Sequence, residues 1–283
     1  MKKILLFIMI ILTIGLASCN GEESQDDRIQ VAVSITPQKA FVDQVGKEFV
    51  NVTTIIKPGH SPANYEPSLR EIAELNQVEV YFAIGVPAEV GNIIPELEDL
   101  NIVHLEALVR EEYPDREFAP GSRDPHIWLS IKRVKVMVEE IANELARLDP
   151  DNSDYYYDNA SDYNSSLDEL DSDLETLFID KTMRKFIVFH PSYGYFADEY
   201  NLEMYALEED GKEPTAPHLQ AMIDLANDYN IRVVFHQAEI DSRQVISFVE
   251  EINGVTVELD PLSYDYIDSM LEMGELIGDS LYE

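Results

Sequence analysis

Cysteine is nearly absent: Cys19 is the only one in 283 residues. No internal disulfide can form, and any metal the chain holds must be bound by nitrogen and oxygen donors. Positive charge is also scarce, with 20 Lys and Arg against 55 Asp and Glu and a formal net charge of −35. Such a surface repels nucleic acid and suits cations, although most of these carboxylates are simply solvated faces. Neither a His-Glu-x-x-His helix motif nor a Gly-x-Ser-x-Gly elbow occurs, so the signatures of the commonest zinc peptidases and serine hydrolases are missing. Glycine and proline are absent from residues 151–178, which excludes a loose linker there.

The N-terminus carries Lys2 and Lys3, then an apolar run from Ile4 to Ile14, then Leu16-Ala17-Ser18-Cys19. This charged, hydrophobic and small-residue order has the form of a signal peptide over residues 1–18. Its end resembles a bacterial lipobox, in which Cys19 receives lipid and becomes the first mature residue. Residues 19–28 then read as a polar tether between a membrane anchor and the folded body.

Beyond the tether, β-type runs alternate with helical patterns, which predicts an α/β fold with parallel sheets and helices on their faces. Strands are expected at 28–35, 50–56, 78–84 and 102–105. Helices are expected at 36–45 behind Thr36-Pro37, at 68–76 behind a Ser68/Glu71 capping box, and at 92–100. Residues 111–123 read as an acidic loop, and 130–149 as an amphipathic helix that stops before Pro150. The long glycine-free segment places Tyr156, Ala160, Tyr163, Leu167, Leu170 and Leu174 at three- and four-residue steps. It predicts a rigid connecting helix over 151–180 between an N-terminal lobe, 29–150, and a C-terminal lobe, 181–283. The second lobe repeats the alternation, with strands at 185–189, 231–235 and 255–259 and helices at 193–200, 215–230, 242–253 and from 265 onward. Two such lobes leave a cleft, the usual place for a small ligand.

The chemistry is carried by few side chains. In Asp124-Pro125-His126-Ile127-Trp128-Leu129-Ser130, a histidine directly after proline precedes a clean helical pattern and is held by a pre-set backbone. His60, His190 and Asp260 each follow an apolar β-type run, and ligand sites in open α/β sheets lie beyond the carboxyl ends of strands. Three histidines and a carboxylate form a candidate metal site. Bland roles stand beside it: His60 as an exposed loop residue, and Asp260 as a turn cap before Pro261. His236, also after a strand, is the reserve ligand, whereas His104 reads as structural and His218 as solvent-exposed in a first helical turn. Glu66 is a carboxylate available to orient an imidazole, and Trp128 an aromatic floor for the cleft.

Four motifs, in this order behind a lipoprotein-type signal, carry a family resemblance. They are Ser61-Pro62-Ala63-Asn64-Tyr65-Glu66-Pro67, the Asp124–Ser130 segment, Phe189-His190-Pro191-Ser192-Tyr193-Gly194-Tyr195-Phe196, and Leu259-Asp260-Pro261-Leu262. Over essentially the whole mature chain, the sequence resembles the zinc- and manganese-binding lipoproteins of bacterial ABC transporters, the metal-specific cluster A-I solute-binding family. The resemblance implies a receptor and not an enzyme. It implies capture of a divalent ion outside the membrane, delivery to a permease driven by a cytoplasmic ATPase, a lipid anchor at the cell membrane, and action as a monomer. It places ligands at His126, His190 and Asp260. The family's first histidine directly follows Ser-Pro; here that position is Ala63, and His60 in the same loop is the expected substitute. Histidine at position 190, where manganese-selective relatives often carry glutamate, is similar to zinc-type members, so Zn2+ is the expected cargo and Mn2+ the alternative. The histidine-rich loop of some zinc-type members is missing. Functions of other classes that use the same donors are a metal-containing adhesin lipoprotein and an extracytoplasmic metallohydrolase.

Overall fold

The computed structural model describes residues 27–281 apart from 98, 210–211 and 239–241. The expected signal peptide, the expected lipidation site Cys19 and most of the expected tether lie outside the described residues.

The N-terminal sheet contains β1 (Ile29–Val33), β2 (Val50–Thr54), β3 (Val80–Ala83) and β4 (Ile102–His104), all parallel in the order β2-β1-β3-β4. The C-terminal sheet contains β7 (Lys185–Val188), β8 (Glu203–Ala206), β9 (Val233–His236) and β10 (Val255–Glu258), parallel in the order β10-β9-β7-β8. In each sheet the chain steps first to one side and then to the other. This creates a switch point between β1 and β3 and a second between β7 and β9, where loops diverge and leave a crevice. Between the sheets in sequence lies a short antiparallel hairpin of β5 (Glu117–Ala119) and β6 (Ser122–Arg123).

Helix α1 (Thr36–Gly46) starts one residue earlier than a Thr36 cap would place it. The Gln38 side chain takes the capping role, accepting from the Ser34 and Ile35 backbone N–H groups. Helix α2 (Leu69–Leu75) is closed by the expected capping box, with Glu71 accepting from Ser68 N and Ser68 Oγ accepting from Glu71 N. Among the described residues of 92–100 no α-helix forms. A π-turn (Glu89–Ile93) and a 3-10 turn (Ile94–Glu96) stand there instead, because Pro95 lacks the N–H that a continuing α-helix needs. Part of the expected acidic loop is ordered as α3 (Leu105–Glu112) and the β5–β6 hairpin.

Helix α4 (Ile131–Leu148) and α5 (Ser153–Phe178) run as the periodicity predicts, joined by a 3-10 turn at Pro150–Asn152. The 26 residues of α5 span about 39 Å. Its buried stripe, from Tyr156 through Tyr163 and Leu167 to Phe178, packs on α1, α4 and the terminal helix α9 (Tyr266–Ser280). Gly274 of α9 lets it approach closely, since a Cβ there would lie 2.2 Å from Leu174 Cδ2. The remaining helices are α6 (Gly194–Glu199), α7 (Ala216–Asp228) and α8 (Ser242–Glu251). One hydrophobic cluster runs from the N-terminal sheet through Trp128, Leu129 and Tyr266 to Phe186 and Phe235, and a second fills the far side of the C-terminal sheet. No helix among the described residues is long and apolar enough to cross a membrane.

Candidate metal site

A cavity of 240 Å³ opens between the two lobes, walled by loops from the carboxyl ends of strands in both sheets. Pro62 and Ala63 come from the loop after β2, Val86 and Pro87 from that after β3, and Pro261 and Leu262 from that after β10. His126 and His190 face it from opposite lobes. Their ring centroids are 5.3 Å apart, with the planes inclined at 76°.

Each imidazole is tied by a carboxylate at Nδ1. Asp124, fully buried, accepts from His126 Nδ1 at 2.7 Å and from the His126 backbone N–H at 3.0 Å. Its other oxygen accepts from Arg116 Nη1 at 3.1 Å, and Arg116 also reaches Asp198 on α6. His190 Nδ1 lies 2.7 Å from Glu208 Oε2, just past β8. A proton held on Nδ1 by a carboxylate leaves the Nε2 lone pair for a metal. Burial lowers the pKa of His126, partly offset by its bond to Asp124, so the ring stays neutral and able to coordinate.

Aromatic packing holds the pair in place. The Trp128 ring lies 5.2 Å from that of His126; its Nε1 donates to Pro261 O at 2.8 Å, and Tyr266 OH donates to Trp128 O at 2.7 Å. Tyr195 OH accepts from Arg116 N and donates to Asp124 O. These bonds cross from the 124–130 segment to the C-terminal lobe, so the histidine loop belongs mechanically to both lobes. Glu199 of α6 adds a further tie by accepting from Ser130 Oγ and Ile131 N at the start of α4.

The other expected ligands stand apart from this pair. His60 is exposed, its ring against Tyr65 at 5.3 Å, and it does not line the cavity. Asp260 is exposed as well, and its Oδ1 accepts from Leu262 N at 3.0 Å, the turn-capping role open to an aspartate before Pro261. Glu66 lies outside the cavity lining, and His236 is half-buried beside its neighbour's carbonyl. His104 is exposed against Glu106. His218 is not fully exposed as expected but half-buried, with Nε2 2.9 Å from Ala206 O, because α7 packs back on the end of β8. Among the described residues no three His, Asp or Glu side chains form a ready-made metal cage.

Asp124 and Glu208, which tie the imidazoles, and Gln237, which lines the cavity, are not among the residues the sequence singles out. Asp124 carried a usable signal, a carboxylate two residues before the histidine; Glu208, 18 residues from His190, carried none.

A family model described as "ZnuA: Zinc-uptake complex component A periplasmic" matches residues 31–279. The chain belongs to the ZnuA family. It is 26% identical over 94% of its length, and 96% of the relative's, to a putative metal-binding protein of Chlamydia trachomatis. It is 25% identical over 98% of its length, and 94% of the relative's, to the manganese-binding lipoprotein MntA of Bacillus subtilis. A crystal structure of a zinc-bound ZnuA deletion mutant superposes with a TM-score of 0.84 at 32% identity, covering 91% of this chain and 99% of that one. The two parallel sheets and the long helix are thus those of a ZnuA-family member.

Proposed function

We propose that the chain is an extracytoplasmic receptor that captures one divalent transition metal and delivers it to an ABC importer. The observation that carries this reading is the pair His126 and His190, each tethered at Nδ1 by a carboxylate and both lining the same inter-lobe cavity. Two imidazole donors favour zinc over magnesium or calcium, which seek oxygen. Zinc is the cargo this donor set suits best; manganese is the alternative, in keeping with the manganese-binding relative.

Asp260 immediately precedes Pro261, which lines the cavity, so turning its side chain away from Leu262 N brings a carboxylate towards the ion. His60 enters only if the loop after β2 moves. Cys19 carries the lipid anchor, on the periplasmic side if the cell has an outer membrane. The protein acts as a monomer towards a permease and its cytoplasmic ATPase. It binds and releases an ion and turns over no substrate. The bonds that cross between the lobes hold the ligands, and exchange of the bound ion is the functional event. Equilibrium titration of the metal-stripped protein with zinc tests this reading, and the absence of any saturable site in the wild type would defeat it.

A further inference from the structure

With Ala63 at the position of the family's first histidine and Asp260 turned outward, the cavity holds two nitrogen donors and no carboxylate among its lining residues. A captured ion needs about four donors in a closed site. Beyond the imidazoles, the side-chain oxygens that line the cavity belong to Ser61, Ser122 and Gln237. Ser61 Oγ already accepts from Ala63 N, and serine hydroxyls are poor neutral ligands. Gln237 offers a carbonyl-type oxygen, which divalent ions accept readily.

Its position follows from the sheet. β7 and β9 are adjacent parallel strands, paired at Ile187 with Val234 and Val188 with Phe235. His190 and Gln237 lie two residues beyond that last pair, so they leave neighbouring strands side by side at the switch point of the C-terminal sheet, where ligands bind. Gln237 is 9% exposed, and its Nε2 donates to Ser192 Oγ at 2.7 Å. Ser192 is fully buried in the turn that follows His190, its N–H bonded to His190 O. The amide is therefore anchored to the same turn that positions the imidazole. With Nε2 so engaged, the carbonyl Oε1 is the atom this cavity-lining amide can offer a cation.

We propose that the Gln237 carboxamide oxygen is a ligand of the captured ion, taking the donor role that Ala63 cannot fill. This rests on the metal-receptor reading above. An amide oxygen is a weaker donor to zinc than the imidazole it stands in for, which weakens retention and eases release.

The test compares zinc affinity and the visible spectrum of the cobalt(II)-loaded protein in wild type, Gln237→Leu, Gln237→Glu, Ser192→Ala and His126→Ala. Gln237→Leu is expected to weaken zinc binding about 10-fold or more and to change the cobalt ligand-field bands. Gln237→Glu, which keeps an oxygen and adds charge, is expected to bind at least as tightly as wild type. Ser192→Ala, which removes only the anchor, is expected to leave the cobalt bands in place. If Gln237→Leu keeps wild-type affinity and spectrum while His126→Ala loses the ion, Gln237 is not a ligand and the receptor reading stands. Gln237→Leu and Ser192→Ala weakening zinc equally with unchanged cobalt bands would likewise overturn the ligand role. If the wild type binds no ion, the receptor reading itself fails and takes this proposal with it.

Discussion

Asp124 holds His126 twice, through the ring Nδ1 at 2.7 Å and the backbone N–H at 3.0 Å, while its second oxygen faces Arg116. One buried carboxylate therefore fixes the tautomer, the ring angle and the loop. Asp124→Asn keeps the volume but turns an NH2 towards Arg116 or the ring, so it is expected to weaken zinc binding by about 10–100-fold. Competition with a chromophoric chelator measures this directly.

Trp128 is the only tryptophan in the chain and lies against His126. Its emission is expected to change on zinc addition and to saturate at one equivalent, and to stay constant in His126→Ala. Trp128→Phe removes the donor to Pro261 O and leaves a buried carbonyl unpaired, at a cost of about 1–3 kcal/mol. Chemical denaturation of the metal-free protein reads that loss.

The pH dependence of capture follows from the imidazoles. Burial, the largest influence on His126, lowers its pKa below the ordinary 6.5, so protons do not compete for its Nε2 at neutral pH. Affinity is expected to be nearly flat above pH about 7 and to fall as the medium is acidified below the ordinary histidine value. Dialysis at pH 5 should release the ion; full retention there would count against histidine ligation.

Glu89 makes a separate prediction for stability. It is fully buried just beyond β3, accepting from Tyr81 OH, Ser34 Oγ and the N–H groups of Ile84 and Gly85. Burial, its largest influence, raises its pKa above the ordinary 4.5, with the hydrogen bonds opposing. The folded state then keeps a proton that the unfolded chain has released, so this group's contribution is greatest below pH 4.5 and declines as pH rises towards the folded value. Glu89→Gln should remove that decline. The stability difference between wild type and variant, followed by denaturation from pH 4 to 8, is expected to shift against the wild type as pH rises.

Much of this was legible in the sequence for a physical reason: strand alternation and helical periodicity are local. Residues 153–178 had no breaker and a continuous apolar stripe, and they form one helix. The α/β architecture and family followed from motifs that keep their order. What was not legible was non-local or conformational. Pro95 broke a helix that an apolar pattern suggested, and the short strand β8 gave little pattern of its own. His126 and His190, which line one cavity, were legible as candidates because each sits where a strand or a proline fixes the backbone. Glu208 and Gln237 were not, since only the pairing of β7 with β8 and β9 brings them to His190 and its turn. At the end of β9 the sequence pointed to His236 over Gln237, yet alternation along the strand carries Gln237 to the cavity and His236 away from it.

The most direct test of the central claim is a parallel titration of the metal-stripped protein with zinc and manganese, with bound ions counted by elemental analysis. One tightly held zinc per chain is expected, bound more strongly than manganese, lost in His126→Ala and in His190→Ala, and retained in His218→Ala. No tight ion in the wild type, or equal retention in all three variants, would contradict the assignment of the two-histidine cavity as the site of capture.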